Sequence, residues 1–222
     1  MFDGLIPFSI TTQTDPLVTI KGLQTSPESP LPPLLLLHGF PQTRHIWHRI
    51  VPHLTTTYNL IIPDLRGYGE SSKPPSPAPL PETLISATPR KFAELCMGGK
   101  DGKGLDIFDK ACYEEYVKLF EDEDTVHAMC NDYRAAATVD LDEQRADLEK
   151  GRLIKAPVRI IWGKKGVIEK CFDAMAEWRK VVGEGVVLDG YSVDSGHYIP
   201  EEAPDDVVKA RWETWSDEGW KE

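Results

Sequence analysis

Apolar and polar residues follow two different periods along the chain. "FSITTQ" and "LVTIKGLQ" are rich in β-branched residues and flank the turn signal "TDP", which predicts a β-hairpin. "PPLLLLHGF" is a short apolar run ended by His-Gly, typical of a strand buried on both faces. "RHIWHRIVPHL" has its apolar residues at helical spacing, and "YNLIIPDLRGYG" predicts a second buried strand. Strand, helix and strand in this order predict a parallel βαβ unit and an α/β fold.

The last third of the chain repeats this alternation. "APVRIIWG" predicts a strand, and "CFDAMAEWRKVV" predicts a helix. "GVVLDGYSVDSGH" predicts a strand that runs into a loop. "APDDVVKARWETW" predicts a final helix, because Pro and Asp are favoured in a first helical turn.

The middle of the chain differs, because it carries no strand signal from about residue 111 to residue 152. Apolar residues there recur at i, i+3, i+4 and i+7 in two segments, which predicts two amphipathic helices. "LDEQRADLEKGR" is charged nearly all round and predicts a helix at the surface. The middle therefore indicates a small helical lid inserted into the sheet. The residues that define the two amphipathic helices are Tyr113, Tyr116, Val117 and Phe120, then Val126, Met129, Cys130 and Tyr133.

A proline-rich stretch separates the first third from the lid. "SSKPPSPAPLP" (71–81) contains five prolines, and proline disfavours helix and interior strand. We therefore predict four parts: an N-terminal core part (1–72), a linker (73–81), a helical cap (82–155) and a C-terminal core part (156–222).

Composition excludes several classes of partner. The chain has 25 Lys and Arg against 36 Asp and Glu, with no basic stripe, so nucleic acid and anionic membrane are not expected partners. Its longest apolar run, Leu34–Leu37, is far too short to span a bilayer. The N-terminus "MFDGLIPF" lacks the features of a secretory signal. The four cysteines form no CxxC pair, so we expect reduced thiols in a cytoplasmic protein.

Two segments contain residues suited to catalysis. "HGFPQT" (38–43) follows a buried strand, so its backbone N–H groups could stabilise an oxyanion at the carboxyl end of the sheet; the alternative is a tight turn that needs Gly39. "DSGHYIPEEAPDDVV" (194–208) places His197 in a loop after the last strand, where it could act as a general base; the alternative is a surface histidine. His45, His48 and His53 lack a metal-binding spacing, so no metal site is predicted.

Together these stretches resemble α/β-hydrolases of the fluoroacetate (haloacetate) dehalogenase and epoxide hydrolase group. The resemblance rests on "LLLLHGFPQTRHIWHRIVPHL", "YNLIIPDLRGYGESSKP", "CNDYRAAATVDLDEQRADLEKGRLIKAPVRIIWGKKG" and "SGHYIPEEAPDDV". These stretches keep the family's order over nearly the whole chain. The segment around Tyr133 and Arg134 points most closely to the haloacetate dehalogenases.

The resemblance implies roles for three residues. His197 would activate water, the Phe40 backbone N–H would form half of the oxyanion hole, and Tyr133 would hold the leaving halide or the substrate oxygen. The family needs no cofactor, acts on a small molecule and attacks carbon with an Asp on a Gly-x-Asp-x-Gly elbow, which forms an ester. The resemblance leaves a homodimer open.

The sequence departs from this family at the nucleophile. It contains no Gly-x-Asp-x-Gly and no Gly-x-Ser-x-Gly. Asp106, Asp101 and Cys96 lack the glycine spacing or the preceding strand, so none of them is predicted to be the nucleophile. Gly166 stands where many relatives carry the charge-relay acid, and Asp194 is interpreted as a solvated turn residue.

The segment that is missing relative to the family corresponds to two βαβ-type units, each of about 30 residues or more. We therefore expect an α/β-hydrolase core that lacks two central strands. Either a gap of roughly 14 Å would open between the strands on its two sides, or those strands would pair directly. Three functions follow: a hydrolase of halogenated acids or epoxides, a non-catalytic isoform or mispredicted gene product, and a ligand-binding protein on the hydrolase scaffold.

Overall fold

The fold consists of two compact units, residues 1–135 and 136–222. Each unit has its own sheet and its own helices. A computed structural model of the protein describes residues 2–15, 17–73, 80–98 and 104–210.

The first unit contains a four-stranded sheet in the order β1-β2-β4-β3. β1 pairs antiparallel with β2, and β2 pairs antiparallel with β4. β3 runs parallel to β4, with Leu34 opposite Leu60. The hairpin and the parallel βαβ unit that the sequence predicts are therefore confirmed. The strands are β1 (Ile6–Thr14), β2 (Leu17–Gln24), β3 (Pro33–Leu35) and β4 (Asn59–Pro63).

The crossover between β3 and β4 is helical, but it is broken into two pieces. A 3-10 helix covers Arg44–Trp47, and α1 covers Val51–Leu54. Pro52 lies in the first turn of α1, where its missing N–H is tolerated, whereas a continuous helix would place its ring against the carbonyl of residue 48. The apolar face is still buried, because Ile50 and Val51 are almost inaccessible.

The prediction that the strand at "LLLL" is buried on both faces is wrong. Leu36 is buried, but Leu35 is 55% exposed and Leu37 is 50% exposed. Side chains alternate between the two faces of an extended segment, so Leu35 and Leu37 share one face and Leu36 lies on the other. Only the face of Leu36 is covered by other described residues.

The helices of the first unit include the two amphipathic helices that the sequence predicts. Asp109 caps the N-terminus of α4, accepting hydrogen bonds from the backbone N–H groups of Ala111 (2.9 Å) and Cys112 (3.2 Å). α2 begins within the predicted linker, of which residues 74–79 lie outside the described residues. The helices are α2 (Leu80–Ala87), α3 (Pro89–Met97), a 3-10 turn (Gly104–Ile107), α4 (Lys110–Glu121) and α5 (Glu123–Ala136).

A glycine in the loop after β4 lets α5 approach this loop closely. Gly67 has φ +92°, and a Cβ at this position would lie only 2.3 Å from the Cβ of Ala128. A glycine meets both demands, because it tolerates positive φ and has no side chain. The "RGYG" segment is therefore shaped to receive α5.

The second unit contains a two-stranded parallel sheet of β5 (Val158–Gly163) and β6 (Leu188–Val193). α6 (Val139–Glu149) has no buried residue, which confirms the predicted surface helix. The helix predicted at 171–182 forms only as α8 (Ala174–Arg179), because Asp173 caps its N-terminus by accepting from the Ala176 N–H at 3.0 Å. A short helix that was not predicted, α7 (Val167–Cys171), precedes it.

Two short helices end the described part of the chain. They are α9 (Ile199–Glu202) and α10 (Pro204–Lys209). The predicted final helix (203–215) thus forms up to Lys209, and its residues from 211 onward lie outside the described residues. In the described ranges, β3 and β5 belong to different sheets, so the two do not pair directly. No helix there is long and apolar enough to cross a membrane.

Candidate functional site

The candidate site begins at His38, where the apolar run of β3 ends. His38 is buried, its Nε2 accepts a hydrogen bond from the Leu65 backbone N–H at 3.0 Å, and its Nδ1 lies 3.2 Å from the Gly39 carbonyl oxygen. Nδ1 therefore carries the proton, and burial lowers the pKa of this imidazole. His38 is a neutral link between the ends of two parallel strands.

The backbone after His38 is accessible. Gly39 is exposed, and a Cβ there would meet no atom within 4 Å, so packing around this turn does not require a glycine. The Phe40 ring meets Tyr133 edge to face, with ring centroids 5.1 Å apart and planes at 86°. It meets Phe120 in the same way at 6.3 Å. The structure thus brings together two of the three predicted site residues.

A cavity of about 250 Å³ lies against this aromatic contact. We refer to it as the Phe40–Tyr133 pocket. Its wall is formed by a loop residue after β3 and by side chains of four helices. The lining residues are Phe40, Ile85, Phe92, Cys96, Phe120, Met129, Cys130 and Tyr133.

The ionisable groups of the pocket wall are held neutral. Burial raises the pKa of the Cys96 and Cys130 thiols and of the Tyr133 hydroxyl. A raised thiol pKa reduces the thiolate fraction, and the thiolate is the nucleophilic form. Cys96 also lies within helix α3, not on a strand-to-helix turn, so it is not arranged as an activated nucleophile.

Two hydrogen-bonded pairs hold α5 on either side of Tyr133. The Tyr68 hydroxyl donates to the Asp132 carboxylate at 2.7 Å. Arg134 donates through both terminal nitrogens to the Glu82 carboxylate, at 2.7 and 3.0 Å. Tyr133 itself is 61% exposed, so its position depends on its neighbours more than on its own burial.

The Glu82 carboxylate is the buried centre of this second pair. It is 2% exposed and also lies 3.1 Å from Nδ1 of His127. The Arg134 hydrogen bonds hold the pKa of Glu82 below its ordinary value. Sequence analysis missed both pairs, because the partners are 64 and 52 residues apart in the chain and no local pattern marks them.

His197 lies in the second unit, in the loop between β6 and α9. The Glu202 carboxylate accepts hydrogen bonds from the backbone N–H groups on both sides of it, Gly196 at 2.7 Å and Tyr198 at 3.1 Å. The imidazole is exposed and meets the Tyr198 ring edge to face at 5.1 Å. The main chain around His197 is therefore fixed while its ring faces solvent.

The other residues considered from the sequence lie outside this arrangement. Asp106 is in a 3-10 turn that follows no strand, and Asp101 lies outside the described residues. Asp194 is 80% exposed at its side chain and pairs with Lys165 at 2.9 Å. Within the described ranges, no three His, Cys, Asp or Glu side chains are grouped so that they could hold a metal ion.

Comparison with known proteins identifies the fold. The sequence model of the α/β hydrolase fold matches residues 32–136. The solved structure of ALR0039 from Nostoc sp PCC 7120, described as an α/β hydrolase, superposes with a TM-score of 0.83 at 27% identity, covering 95% of this chain and 97% of that one. The chain has the α/β-hydrolase fold.

Related enzymes also agree with the resemblance found in the sequence. A fluoroacetate dehalogenase from Burkholderia sp is 27% identical over 271 aligned positions, covering 84% of this chain and 88% of the relative. A soluble epoxide hydrolase from Corynebacterium sp. (strain C12) is 50% identical over 42 residues, covering 19% of this chain and 15% of the relative. The chain thus has the α/β-hydrolase fold and is similar in sequence to dehalogenases and epoxide hydrolases.

Proposed function

We propose that this α/β hydrolase keeps a ligand pocket and the water-activating histidine of the haloacetate dehalogenases but cannot complete their reaction. One observation carries the proposal: the whole sequence contains neither Gly-x-Asp-x-Gly nor Gly-x-Ser-x-Gly. Without a nucleophile on an elbow no ester with the substrate forms, and His197 then has no ester to hydrolyse.

The length of the alignment with the Burkholderia enzyme supports an internal loss. That alignment spans 271 positions, more than the 222 residues of this chain. Because 84% of this chain is about 186 residues, about 85 of the aligned positions have no residue here. This is the size of two βαβ-type units of roughly 30 residues or more each, the segment that would carry the elbow and the acid.

In this proposal three residues keep roles from the family. The Phe40 backbone N–H would face a developing oxyanion beside the accessible turn at Gly39. Tyr133 would offer its hydroxyl, which its raised pKa keeps protonated, to a halide or a substrate oxygen. His197, in a loop fixed by Glu202, would be the base.

The remaining parts of the proposal concern substrate class and location. For a longer product that contains the nucleophile elbow, we propose small halogenated acids as the substrate class, with epoxides as the alternative. A ligand-binding role without turnover is the second candidate for this chain, and the Phe40–Tyr133 pocket favours it. Reduced cysteines support a cytoplasmic location.

Halide release tests the proposal. The 222-residue protein is incubated with fluoroacetate and with chloroacetate, and released halide is measured. We expect release at the buffer background, unchanged in His197→Ala and in a control, His53→Ala, at an exposed histidine of the other unit. Release that disappears in His197→Ala but persists in His53→Ala would overturn the proposal.

The transcript across Ser72–Pro81 provides an independent test. We expect some native products to be longer at this junction and to contain a Gly-x-Asp-x-Gly elbow. If every transcript joins these residues as the present sequence does, the loss belongs to the protein itself, and the ligand-binding role gains support over the incomplete product.

A further inference from the structure

The lining of the Phe40–Tyr133 pocket contains no charged side chain. Its eight described lining residues are four aromatic residues, two aliphatic or thioether residues and two cysteines. The thiols and the tyrosine hydroxyl are neutral at neutral pH because burial raises the pKa of each. The pocket therefore presents an apolar surface without a fixed charge.

This lining disfavours an anionic ligand. A carboxylate that leaves water loses its hydration, and this loss is unfavourable unless a cation or several hydrogen-bond donors compensate for it. No arginine, lysine or histidine lines the described wall. The nearest part of the site that is rich in charge, Arg134 with Glu82, is already paired internally.

The size and the aromatic geometry of the pocket favour a flat apolar ligand. Its volume of about 250 Å³ exceeds that of an engineered apolar cavity of about 150 Å³ in another protein, which binds benzene. Phe40 meets Tyr133 edge to face, and Phe92 meets Phe120 at 5.4 Å and 61°. A ligand ring could extend this edge-to-face arrangement, which aromatic pairs favour beyond the burial of their surface.

We propose that the Phe40–Tyr133 pocket binds neutral molecules with one aromatic ring and rejects small carboxylates. These include fluoroacetate, the compound in the name of the related Burkholderia enzyme. This inference rests on the proposed function, because it takes this pocket as the ligand site of a chain that binds without turnover. Binding requires no nucleophile, so the inference concerns this chain in its present form.

Fluorine NMR on the 222-residue protein tests ligand class and turnover together. The probes are fluorobenzene, 4-fluorobenzoate and fluoroacetate, and each titration follows the shift and width of the probe signal. We expect fluorobenzene to bind at least tenfold more tightly than 4-fluorobenzoate, with no measurable binding of fluoroacetate. Equal or tighter binding of 4-fluorobenzoate, or no fluorobenzene effect up to its solubility limit, overturns the proposal.

Two variants locate the binding in the pocket. Cys130→Phe fills the cavity and should weaken fluorobenzene binding at least tenfold, whereas Cys171→Phe makes the same change at an exposed cysteine outside it and should leave binding unchanged. Cys96→Arg adds a cation to the pocket wall. It should reduce the ratio of the affinity for fluorobenzene to that for 4-fluorobenzoate at least tenfold. Cys171→Arg is its control.

The results separate this inference from the proposed function. Urea unfolding and circular dichroism verify that each variant folds. If Cys130→Phe does not fold, Cys96→Arg still tests the proposal. Unchanged fluorobenzene affinity and preference in the folded pocket variants overturn the inference. A free fluoride signal from fluoroacetate, absent in His197→Ala, overturns the proposed function. If that signal appears, the inference stands only if fluorobenzene still binds in the pocket and fluoroacetate does not compete with it; competition overturns the inference as well.

Discussion

The hydroxyl of Tyr68 donates a hydrogen bond to the carboxylate of Asp132, with 2.7 Å between the two oxygens. Tyr68 is almost fully buried in the loop after β4, and its ring meets His38 edge to face at 5.2 Å. Asp132 is in α5, one residue before Tyr133. This bond therefore connects the segments that follow β3 and β4 to α5, the helix that carries Tyr133.

Removing this bond should loosen α5. Tyr68→Phe keeps the buried ring and deletes only the donor, so we expect a loss of about 1 kcal/mol in the free energy of unfolding. Urea denaturation of the two single variants and the double variant with Asp132→Asn measures it. A coupling energy near zero in this double-mutant cycle would show that the bond contributes nothing.

The Glu82 carboxylate should make stability depend on acid. Glu82→Gln removes the negative charge from a buried site that Arg134 and His127 face, so we expect a loss of about 2 kcal/mol at neutral pH. An exposed ion pair offers a control: Glu114→Gln removes an exposed carboxylate that accepts a hydrogen bond from Arg90, and we expect little change in the urea midpoint.

The direction of the pH effect follows from the lowered pKa of Glu82. Because the folded-state pKa lies below the ordinary value of 4.5, the carboxylate stabilises the fold fully above about pH 4.5 and loses this contribution as pH falls through the folded pKa. The wild type should therefore lose more stability between about pH 6 and about pH 3 than Glu82→Gln does. Parallel acid unfolding curves for the two proteins would contradict this.

Gly67 should resist substitution more than Gly4, which also has positive φ. Gly67→Ala adds both backbone strain and a contact of 2.3 Å with Ala128, so we expect a loss of about 2–3 kcal/mol. Gly4→Ala has similar strain, with φ +79°, but its Cβ would meet nothing within 4 Å, so about 1 kcal/mol is expected. Equal losses in the two variants would mean that α5 does not press on Gly67.

The exposed leucines of the β3 region should promote association. Replacing Leu35 with Lys and Leu37 with Glu puts charges at half-exposed positions beside an edge strand, which is how edge strands are protected from aggregation. We expect less light scattering on concentration and a change in unfolding free energy within about 0.5 kcal/mol. The control Leu36→Lys changes a buried neighbour and should cost about 3 kcal/mol or more.

The local periodicity of apolar residues was sufficient to predict most helices and strands. The hairpin, the βαβ unit, the two amphipathic helices and the parallel β5–β6 pair follow from patterns within a few residues of each other. The ends of helices were harder to predict where a single residue determines them. Examples are Pro52 in the first turn of α1 and Asp173 at the N-terminus of α8. The exposure of Leu35 could not be predicted from the run "LLLL", because burial depends on which elements pack against each face of the strand.

Only some residues of the candidate site were predicted from the sequence. Phe40 and Tyr133 were predicted from the resemblance, and the structure brings their rings into contact. Glu82 and Tyr68, which hold the helix around Tyr133, were missed. Their partners are distant in sequence, and a glutamate beside a proline-rich linker has no pattern that distinguishes it from a solvated one.

The separation of β3 and β5 into two sheets has a consequence for how chain length can vary in this architecture. Every strand ladder of the described residues closes either before residue 73 or after residue 157. A whole strand-and-helix module can therefore be added or removed between them while each existing ladder keeps its register. We therefore expect that a segment carrying catalytic residues can be inserted or deleted at this junction without a change in strand pairing on either side.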